Sequence, residues 1–320
     1  MTSTSELTDF YYKTLYPTLQ ELEQERKNLR HRIIVIGVIY SLVVFLLAFA
    51  LLPLINESPD FLFFIGAGYI ALGAIIYKFL IKDYTKEFKQ NIIKPLIHAI
   101  DEKLSYNCDH HVTEHLFRRS DLFSEPDRMN GNDYVRGNID GTKIEFSDIH
   151  AEKRQKDSKG RESWSTIFKG LFIVAEFNKN FHGKTLVLPD TAQSTFGNLI
   201  GNWLQSNNFS RDELVKMDDN NFEREFVVYS SDQIEARYIL SHALMKKLLN
   251  FKNKSEHPVY ISFIGNHIHM AVYYDKDLFE PSVFRSLLEY KIAMEYVKTL
   301  HLAIGIVDEL KLNQKLWSKQ

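Results

Sequence analysis

The chain has 320 residues, which is enough for a membrane-spanning unit and one soluble domain of ordinary size. Its net charge of −2 argues against a nucleic-acid partner, because nucleic-acid-binding domains carry an excess of basic residues. Cys108 is the single cysteine, so an internal disulfide is excluded and a reducing compartment is indicated.

Residues 1–32 are polar, but their apolar residues recur at helical spacing: Phe10, Leu15, Leu19 and Leu22. Pro17 interrupts the first turns of this pattern. We predict an N-terminal cytoplasmic helical segment that continues directly into the apolar run after it.

Residues 33–81 predict a two-helix transmembrane hairpin. The run 33–55 carries no charge, and the run 61–81 carries only Lys78, near its end, where a long side chain can reach the interface. As a helix, each run is long enough to cross a hydrocarbon core of roughly 30 Å. A buried core helix pair is the alternative, and it is disfavoured because two such runs in tandem are rare in soluble folds.

The flanking charges predict the orientation of the hairpin. The connecting loop 56–60 carries two acidic residues and no Lys or Arg. The outer flanks are basic, with Arg26, Lys27, Arg30, Arg32, Lys82, Lys86, Lys89 and Lys94. By the positive-inside rule, both flanks and therefore both termini are expected in the cytoplasm.

Residues 82–105 predict a juxtamembrane amphipathic helix, which Pro95 should kink or break. Its apolar stripe consists of Phe88, Ile92, Ile93, Leu96, Ile97, Ile100 and Leu104. We expect this stripe to pack against residues 1–32, and a coiled-coil interface with another protein is the alternative. Small residues of the second span, such as Gly66, Gly68 and Gly73, suit close packing against the first span or a second copy.

Residues 106–278 predict a soluble α+β domain of antiparallel β-hairpins. Asp140-Gly141 is a two-residue turn signal between alternating strands, and it sets Val135 opposite Phe146. Gly265-Asn266 sets Ile261 opposite Met270 in another hairpin. Residues 168–177 and 184–188 are predicted to form a third hairpin, with the first strand central because both of its faces are apolar.

The remaining segments are predicted as helices and one loop. Residues 152–163 are charged without an apolar period, which favours a solvated loop, or else a basic loop lying against anionic lipid or a partner. Short helices are predicted at 195–204 and after a cap at Asp232. A long C-terminal helix starting at Pro281 is predicted within 279–320, packed on the soluble domain.

Several blocks of the sequence resemble a bacterial family known only as a domain of unknown function, number 3137. They are the run from Phe222 to Leu240 and three shorter blocks: 137–148, 168–172 and 277–281. The resemblance implies paired N-terminal membrane helices, a bacterial inner membrane location and a possible LemA-like protein partner. It implies no catalytic residues.

Three groups of residues are candidates for chemistry. His111 and His115 near Cys108 and Asp109 are spaced to share a helix face, but no further metal ligand is specified and we predict no metal site. Arg237 near Asp232 and Glu235 suggests either a local ion pair or anion binding. One polar strand face is the third candidate, as a covered sheet face or a ligand pocket: Tyr260, Ser262, His267 and His269.

No motif predicts a catalytic residue or a cofactor, because the sequence lacks a Walker loop, GxSxG and GxGxxG. The first hypothesis is a membrane-anchored, non-enzymatic interaction or scaffold protein, with membrane lipid, a second copy or a LemA-like protein as partner. The alternatives are a membrane-tethered domain that senses lipid or a small ligand, and an uncharacterised enzyme.

Overall fold

The computed structural model describes residues 10–51, 60–177, 180–190 and 213–310. The chain divides into two compact units. The helical unit comprises the described residues of Ser3–Pro95 and Glu280–Met294, and the sheet unit comprises those of Leu96–Phe279 and Glu295–Gln320. The overall class is α+β, as predicted, with an antiparallel sheet and two long N-terminal apolar helices.

Two long helices dominate the helical unit. A π-helical turn at Tyr11–Leu15 leads into α1 (Tyr16–Ala50), and α2 covers Asp60–Phe88. The ring of Tyr40 stacks on that of Tyr69 at 5.0 Å between centroids, and its hydroxyl donates to the Tyr69 carbonyl oxygen at 2.8 Å. Gly73 also lies at this contact, since a Cβ there would meet the Tyr40 ring at 3.5 Å.

Pro95 is preceded by a wide turn. A π-helical turn at Lys89–Ile93 separates α2 from α3 (Lys94–Ile100). Proline lacks the N–H that would bond four residues back, and its ring crowds that carbonyl, so the chain widens there. The helix continues through this π-helical turn and past Pro95, and it ends at Ile100 rather than at residue 105. Beyond it, Lys103 N–H donates to the Asp101 side chain.

The segment 281–289 is not helical, so the prediction of a helix start at Pro281 was wrong. The Arg26 guanidinium donates to the Val283 carbonyl oxygen at 2.5 Å, and Leu287 N–H donates to the Glu23 carboxylate at 3.0 Å. Because side chains of α1 satisfy these backbone groups, the segment needs no helical hydrogen bonds. The C-terminal helix, α8, covers Tyr290–Leu310.

Nine described strands form one antiparallel sheet in the order β1-β2-β3-β4-β9-β8-β5-β7-β6. They are β1 (Ser105–Asn107), β2 (Arg128–Ile139), β3 (Thr142–Lys156), β4 (Glu162–Glu176), β5 (Lys184–Pro189), β6 (Glu213–Val215), β7 (Phe226–Ser230), β8 (Val259–Ile264) and β9 (His267–Tyr273). The described helices of this unit between β1 and β8 are α4 (Glu114–Arg119), α5 (Asn220–Glu225), α6 (Gln233–Ile239) and α7 (His242–Ser255).

The two hairpins with glycine turns have the predicted register. Val135 pairs with Phe146 across β2 and β3, and Ile261 pairs with Met270 across β8 and β9. In the first turn Asp140 and Gly141 both have positive φ, 47° and 89°, which is the conformation that Asp-Gly favours.

The predicted pairing of residues 168–177 with 184–188 was wrong. Strand β4 pairs with β3 and β9, whereas β5 pairs with β7 and β8. The β8–β9 hairpin is inserted between them, and both of its faces are buried at the centre of the sheet. The predicted solvated loop 152–163 is also strand for most of its length, with Arg154 opposite Trp164 and Lys156 opposite Glu162.

One face of the sheet is covered by α4 and the residues after it. The ring of Phe117 packs on Phe172 at 5.2 Å, and that of Phe123 packs on Phe168 at 4.9 Å and on Tyr260 at 5.2 Å. This aromatic layer forms the main described core. The cap predicted at Asp232 is confirmed, but Ser241 caps a second helix, so α6 and α7 are separate. The helix predicted at 195–204 lies outside the described residues.

Candidate functional site

A polar groove of about 380 Å³ lies on the sheet beside the residues that α4 covers. Strands β1, β2, β3, β4 and β9 all contribute to it. Its charged and titratable lining consists of Lys103, Tyr134, Arg136, Lys143, Glu145, Glu176 and His267. Because five strands converge there, the sheet itself fixes the spacing of these groups.

Both carboxylates of the groove already have partners within it. The Tyr134 hydroxyl donates to Glu145 at 2.7 Å, and the Lys143 ammonium donates to Glu176 at 3.1 Å. Burial, and then the Glu145 carboxylate, raise the pKa of Tyr134 to about 12, so the phenol keeps its proton at neutral pH. Among the described residues the Lys103 ammonium forms no ion pair, which leaves the groove with more donors than acceptors.

His267 is the member of the predicted site that reaches the groove. Its Nδ1 is buried and has no hydrogen-bond partner among the described residues. Burial, and then the positive charge of Arg119, lower the pKa of His267, so the ring is neutral at physiological pH. A neutral imidazole with an unused nitrogen can accept or donate one hydrogen bond to a small molecule in the groove.

Tyr260, Ser262 and His269 lie on the same sheet face but are sealed inside the core. The Ser262 hydroxyl lies 3.2 Å from His269 Nδ1, and both residues are fully buried. Burial, and then His267, lower the pKa of His269 to about 3. Burial also raises the pKa of Tyr260. The Ser–His contact is therefore a neutral hydrogen bond between two fully buried side chains.

Arg237 lies apart from this group. Its side chain is exposed on α6, and it is not part of the groove lining. Asp232 accepts the N–H groups of Ile234 and Glu235, while Glu235 accepts those of His182 and Gly183 at 3.1 and 2.8 Å. Among the described residues Arg237 makes no ion pair with either acid, so the local pair considered for it does not form.

The histidines near Cys108 do not share a helix face. Helix α4 starts at Glu114 behind a Thr113 cap, so His111 lies outside it, with Nδ1 2.8 Å from the Val112 carbonyl oxygen. In the described part of the chain no three His, Cys, Asp or Glu side chains are grouped to hold a metal ion.

Sequence reasoning missed most of the groove, although one signal was present. The opposite-charge pair of Arg136 and Glu145 follows from the Asp140-Gly141 turn and marks the polar face of β2 and β3. Glu176 of β4 and His267 of β9 extend this polar face. Their place beside it depends on the long-range strand order, which no local pattern predicts.

Residues 166–312 match the family model described as "Protein of unknown function (DUF3137)". This match supports the resemblance to the DUF3137 family. The DUF3137 match starts in β4 and ends beyond α8. It includes the 168–172 block, the Phe222–Leu240 run and the 277–281 block, whereas the 137–148 block and both long apolar helices lie outside it.

The chain also has a distant structural likeness. The crystal structure of the mycobacterial trehalose monomycolate transport factor A, TtfA, is 13% identical, with a TM-score of 0.36 over 68% of this chain and 93% of that chain. A likeness at this level carries no functional information. No curated protein matches the chain.

Proposed function

We propose that the protein is a membrane-anchored, non-enzymatic interaction protein of the bacterial inner membrane, with two spanning helices and both termini in the cytoplasm. The observation that carries the proposal is the exposure of the two apolar helices. Their most apolar windows have mean hydropathies of 2.9 and 1.9 and are 0% buried. In water such surfaces would form an apolar patch far larger than soluble monomers tolerate, whereas lipid would cover them.

The ends of the helices support the proposed orientation. The loop 56–60 has only acidic charge, and the basic residues lie on the outer flanks. On the flank of α1, Glu23 and Arg26 form a buried bidentate ion pair with two contacts of 2.8 Å. On the flank of α2, Lys89 pairs with Glu280 at 2.6 Å. Buried ionic contacts of this kind fit the aqueous side of a membrane helix rather than its apolar centre.

The proposal of interaction rather than catalysis rests on the sealed Ser262–His269 contact. A histidine with a pKa of about 3 is a poor general base at neutral pH, because proton-transfer groups work best with pKa values near the operating pH. A second copy or a LemA-like protein is the proposed partner. A Cβ added at Gly66 or at Gly68 would meet nothing within 4 Å, so both of these positions of α2 are open to another helix.

Topology and partner are tested in the native membrane. Glu57→Cys places a thiol in the proposed outer loop, and Lys246→Cys places one on α7. A membrane-impermeant thiol reagent added to intact cells should label the first variant only, and alkaline extraction should leave the chain in the membrane. Labelling of both variants, or release by alkali, contradicts the anchoring. In-cell crosslinking should then return a self-adduct or one reproducible membrane protein, whereas a chain that crosslinks to nothing contradicts the interaction role.

The groove favours a second candidate function, the sensing of a small anionic ligand. Its surplus of donors, with Lys103, Arg136 and the unused nitrogen of His267 spread along the lining, suits a carboxylate or phosphate. Inorganic phosphate or citrate should raise the Tm of the detergent-purified chain, since a ligand that binds only the folded state stabilises it. Arg136→Ala should abolish the shift, while Lys246→Ala on α7 should keep it. An equal shift in both variants would mean a nonspecific salt effect.

A further inference from the structure

The ends of β3 and β4 extend beyond the core as a two-stranded arm. The arm is defined as residues 154–164, which include the turn between the strands. Every residue of the arm is exposed, and its contacts with the rest of the protein are at its base, where Arg154 N–H donates to the Asp127 carboxylate at 2.8 Å. The pairing of Arg154 with Trp164 and of Lys156 with Glu162 nevertheless keeps it in regular β-structure.

One face of the arm combines a tryptophan with basic side chains. Arg154 lies directly opposite Trp164, and Lys156 is two residues further along the same face. At the base of the arm, the Arg128 guanidinium lies 3.9 Å from the centre of the Trp164 ring. We name Arg128, Arg154, Lys156 and Trp164 the aromatic–basic stripe. Trp164 remains 43% exposed within it.

The carboxylates near the stripe are already paired. Glu152 is held by Arg128, Asp157 by Arg161 at 2.7 Å, and Glu162 by both Arg154 and Lys156 at 3.5 and 3.1 Å. The cationic side chains still outnumber these three acids together with Asp127, whose carboxylate accepts the Arg154 N–H at 2.8 Å: Arg128, Lys153, Arg154, Lys156, Lys159 and Arg161. Among the described residues the Lys159 side chain forms no ion pair. The arm is thus a positive element on a chain whose net charge is −2.

We infer that the arm binds the headgroups of anionic phospholipids through the aromatic–basic stripe. Tryptophan rings favour the headgroup region, where the ring body contacts apolar carbon and the N–H stays hydrated. Basic residues beside such a ring are attracted by the negative surface potential of the membrane. The inference rests on the proposed function, because tethering by two membrane helices gives the arm a high effective concentration at the lipid surface.

The test uses the full-length chain in lipid nanodiscs. Ser158→Cys, in the exposed turn, receives an environment-sensitive fluorophore, and the unsubstituted chain treated in the same way reports any labelling of the buried Cys108. Nanodiscs contain either phosphatidylcholine alone or an equal mixture with phosphatidylglycerol, and part of the lipid carries bromine as a quencher. We expect quenching in the anionic nanodiscs only. It should disappear in about 1 M salt, where the Debye length falls to about 3 Å.

Matched charge reversals test whether the stripe is responsible. Arg154→Glu with Lys156→Glu should lower the quenched fraction at least about tenfold, since each basic residue near an anionic surface is worth roughly fivefold in binding. Lys216→Glu with Lys246→Glu makes the same change in net charge at exposed positions away from the arm and should leave quenching unchanged. Trp164→Ala should reduce quenching, and Trp164→Phe should restore part of it.

Two results would overturn the inference. The first is equal quenching with and without phosphatidylglycerol. The second is a label that stays in water in every lipid mixture but becomes protected when membrane proteins of the cell are added, which would assign the arm to a protein partner. Failure of the anchoring itself has a different signature, because the chain would then not be incorporated into nanodiscs of either composition.

Discussion

Each unit of the molecule contains a buried polar pair, and the two pairs are built differently. In the helical unit, Glu23 and Arg26 are both charged, contact each other bidentately and bind the backbone of Val283 and Leu287. In the sheet unit, Ser262 and His269 are neutral, and His269 Nε2 has no partner among the described residues.

The difference indicates what each pair does for the fold. Burial raises the pKa of Glu23, but the hydrogen bonds from Arg26 and Leu287 outweigh it, so the net pKa is lowered and the carboxylate stays ionised. A charged pair in low dielectric is stable only in one geometry, so it fixes the position of the segment 281–289. The neutral Ser262–His269 pair of the sheet unit has no buried charge to compensate, so it constrains the geometry less and contributes mainly to core packing.

Among these substitutions, Arg26→Ala should lower the free energy of unfolding most. A small loss would contradict the comparison between the two buried pairs. It leaves the Glu23 carboxylate buried without its counter-charge, which typically costs about 3 to 5 kcal/mol. Urea unfolding of the detergent-purified chain measures the loss, and limited proteolysis should show new cleavage within 281–289. Arg30→Ala, at an exposed position of the same helix, is the control and should change stability by less than about 0.5 kcal/mol.

Asp148→Asn measures the cost of burying a carboxylate without a counter-charge. Asp148 is a buried carboxyl of the sheet unit and has no ion-pair partner among the described residues. It accepts Leu278 N–H at 2.8 Å, and burial raises its pKa to about 8. The unfolded chain releases this proton near pH 4, so stability is lost as the pH rises from about 4 to 8. The amide should therefore stabilise the protein by about 4 kcal/mol at pH 7 and by little at pH 4.

Denaturant titrations at the two pH values measure this difference. Asp140→Asn, in the exposed β2–β3 turn, is the matched control and should show no pH-dependent gain. A gain of equal size at both pH values would mean that burial of the Asp148 charge is not its cause.

His269→Gln tests the neutral pair. The pKa of His269 is lowered to about 3 in the folded state, so acid protonates the unfolded chain first. Stability is therefore lost as the pH falls from about 6.5 toward 3, by about 2 kcal/mol at pH 5 from this residue. The variant should lose less stability between pH 7.5 and pH 5 than the parent chain, in paired thermal unfolding experiments. Equal acid sensitivity in both chains would contradict the assignment.

Arg237→Ala should have the smallest effect. Its side chain is exposed and unpaired among the described residues, so the free energy of unfolding should change by less than about 0.5 kcal/mol. Asp232→Ala, which removes the N-cap of the same helix, should cost about 1 kcal/mol. A larger loss of stability from Arg237→Ala than from Asp232→Ala would mean that Arg237 has a structural role.

The sequence predicted those parts of the fold that depend on short-range chemistry. Turn residues set the register of β2–β3 and of β8–β9, and Asp232 marked the start of α6. The pairing of β4 could not be predicted, because its partner β9 lies almost a hundred residues away and competes with a nearby strand of similar composition. The start of α8 was missed because side chains of α1, not local propensity, bind the segment after Pro281.

In the candidate site, too, short-range patterns were predictable and long-range contacts were not. The side of β8 and β9 on which Tyr260, Ser262, His267 and His269 lie was predictable from strand alternation. Which of them is buried depended on α4, whose Phe117 and neighbouring Phe123 close over Tyr260 and Phe172. The groove beside His267 arises where this cover ends, and no local pattern marks that boundary.

The insertion of β8 and β9 between β4 and β5 has a consequence for synthesis on the ribosome. The two apolar helices emerge first, followed by β1 to β4 and then by β5 to β7. These halves have no strand in common until the last hairpin, ending at Tyr273, has left the ribosome. Until then the nascent chain displays two open strand edges, which are targets for mispairing. The centre of the sheet is thus completed last, and the timing of translation becomes part of the folding of this protein.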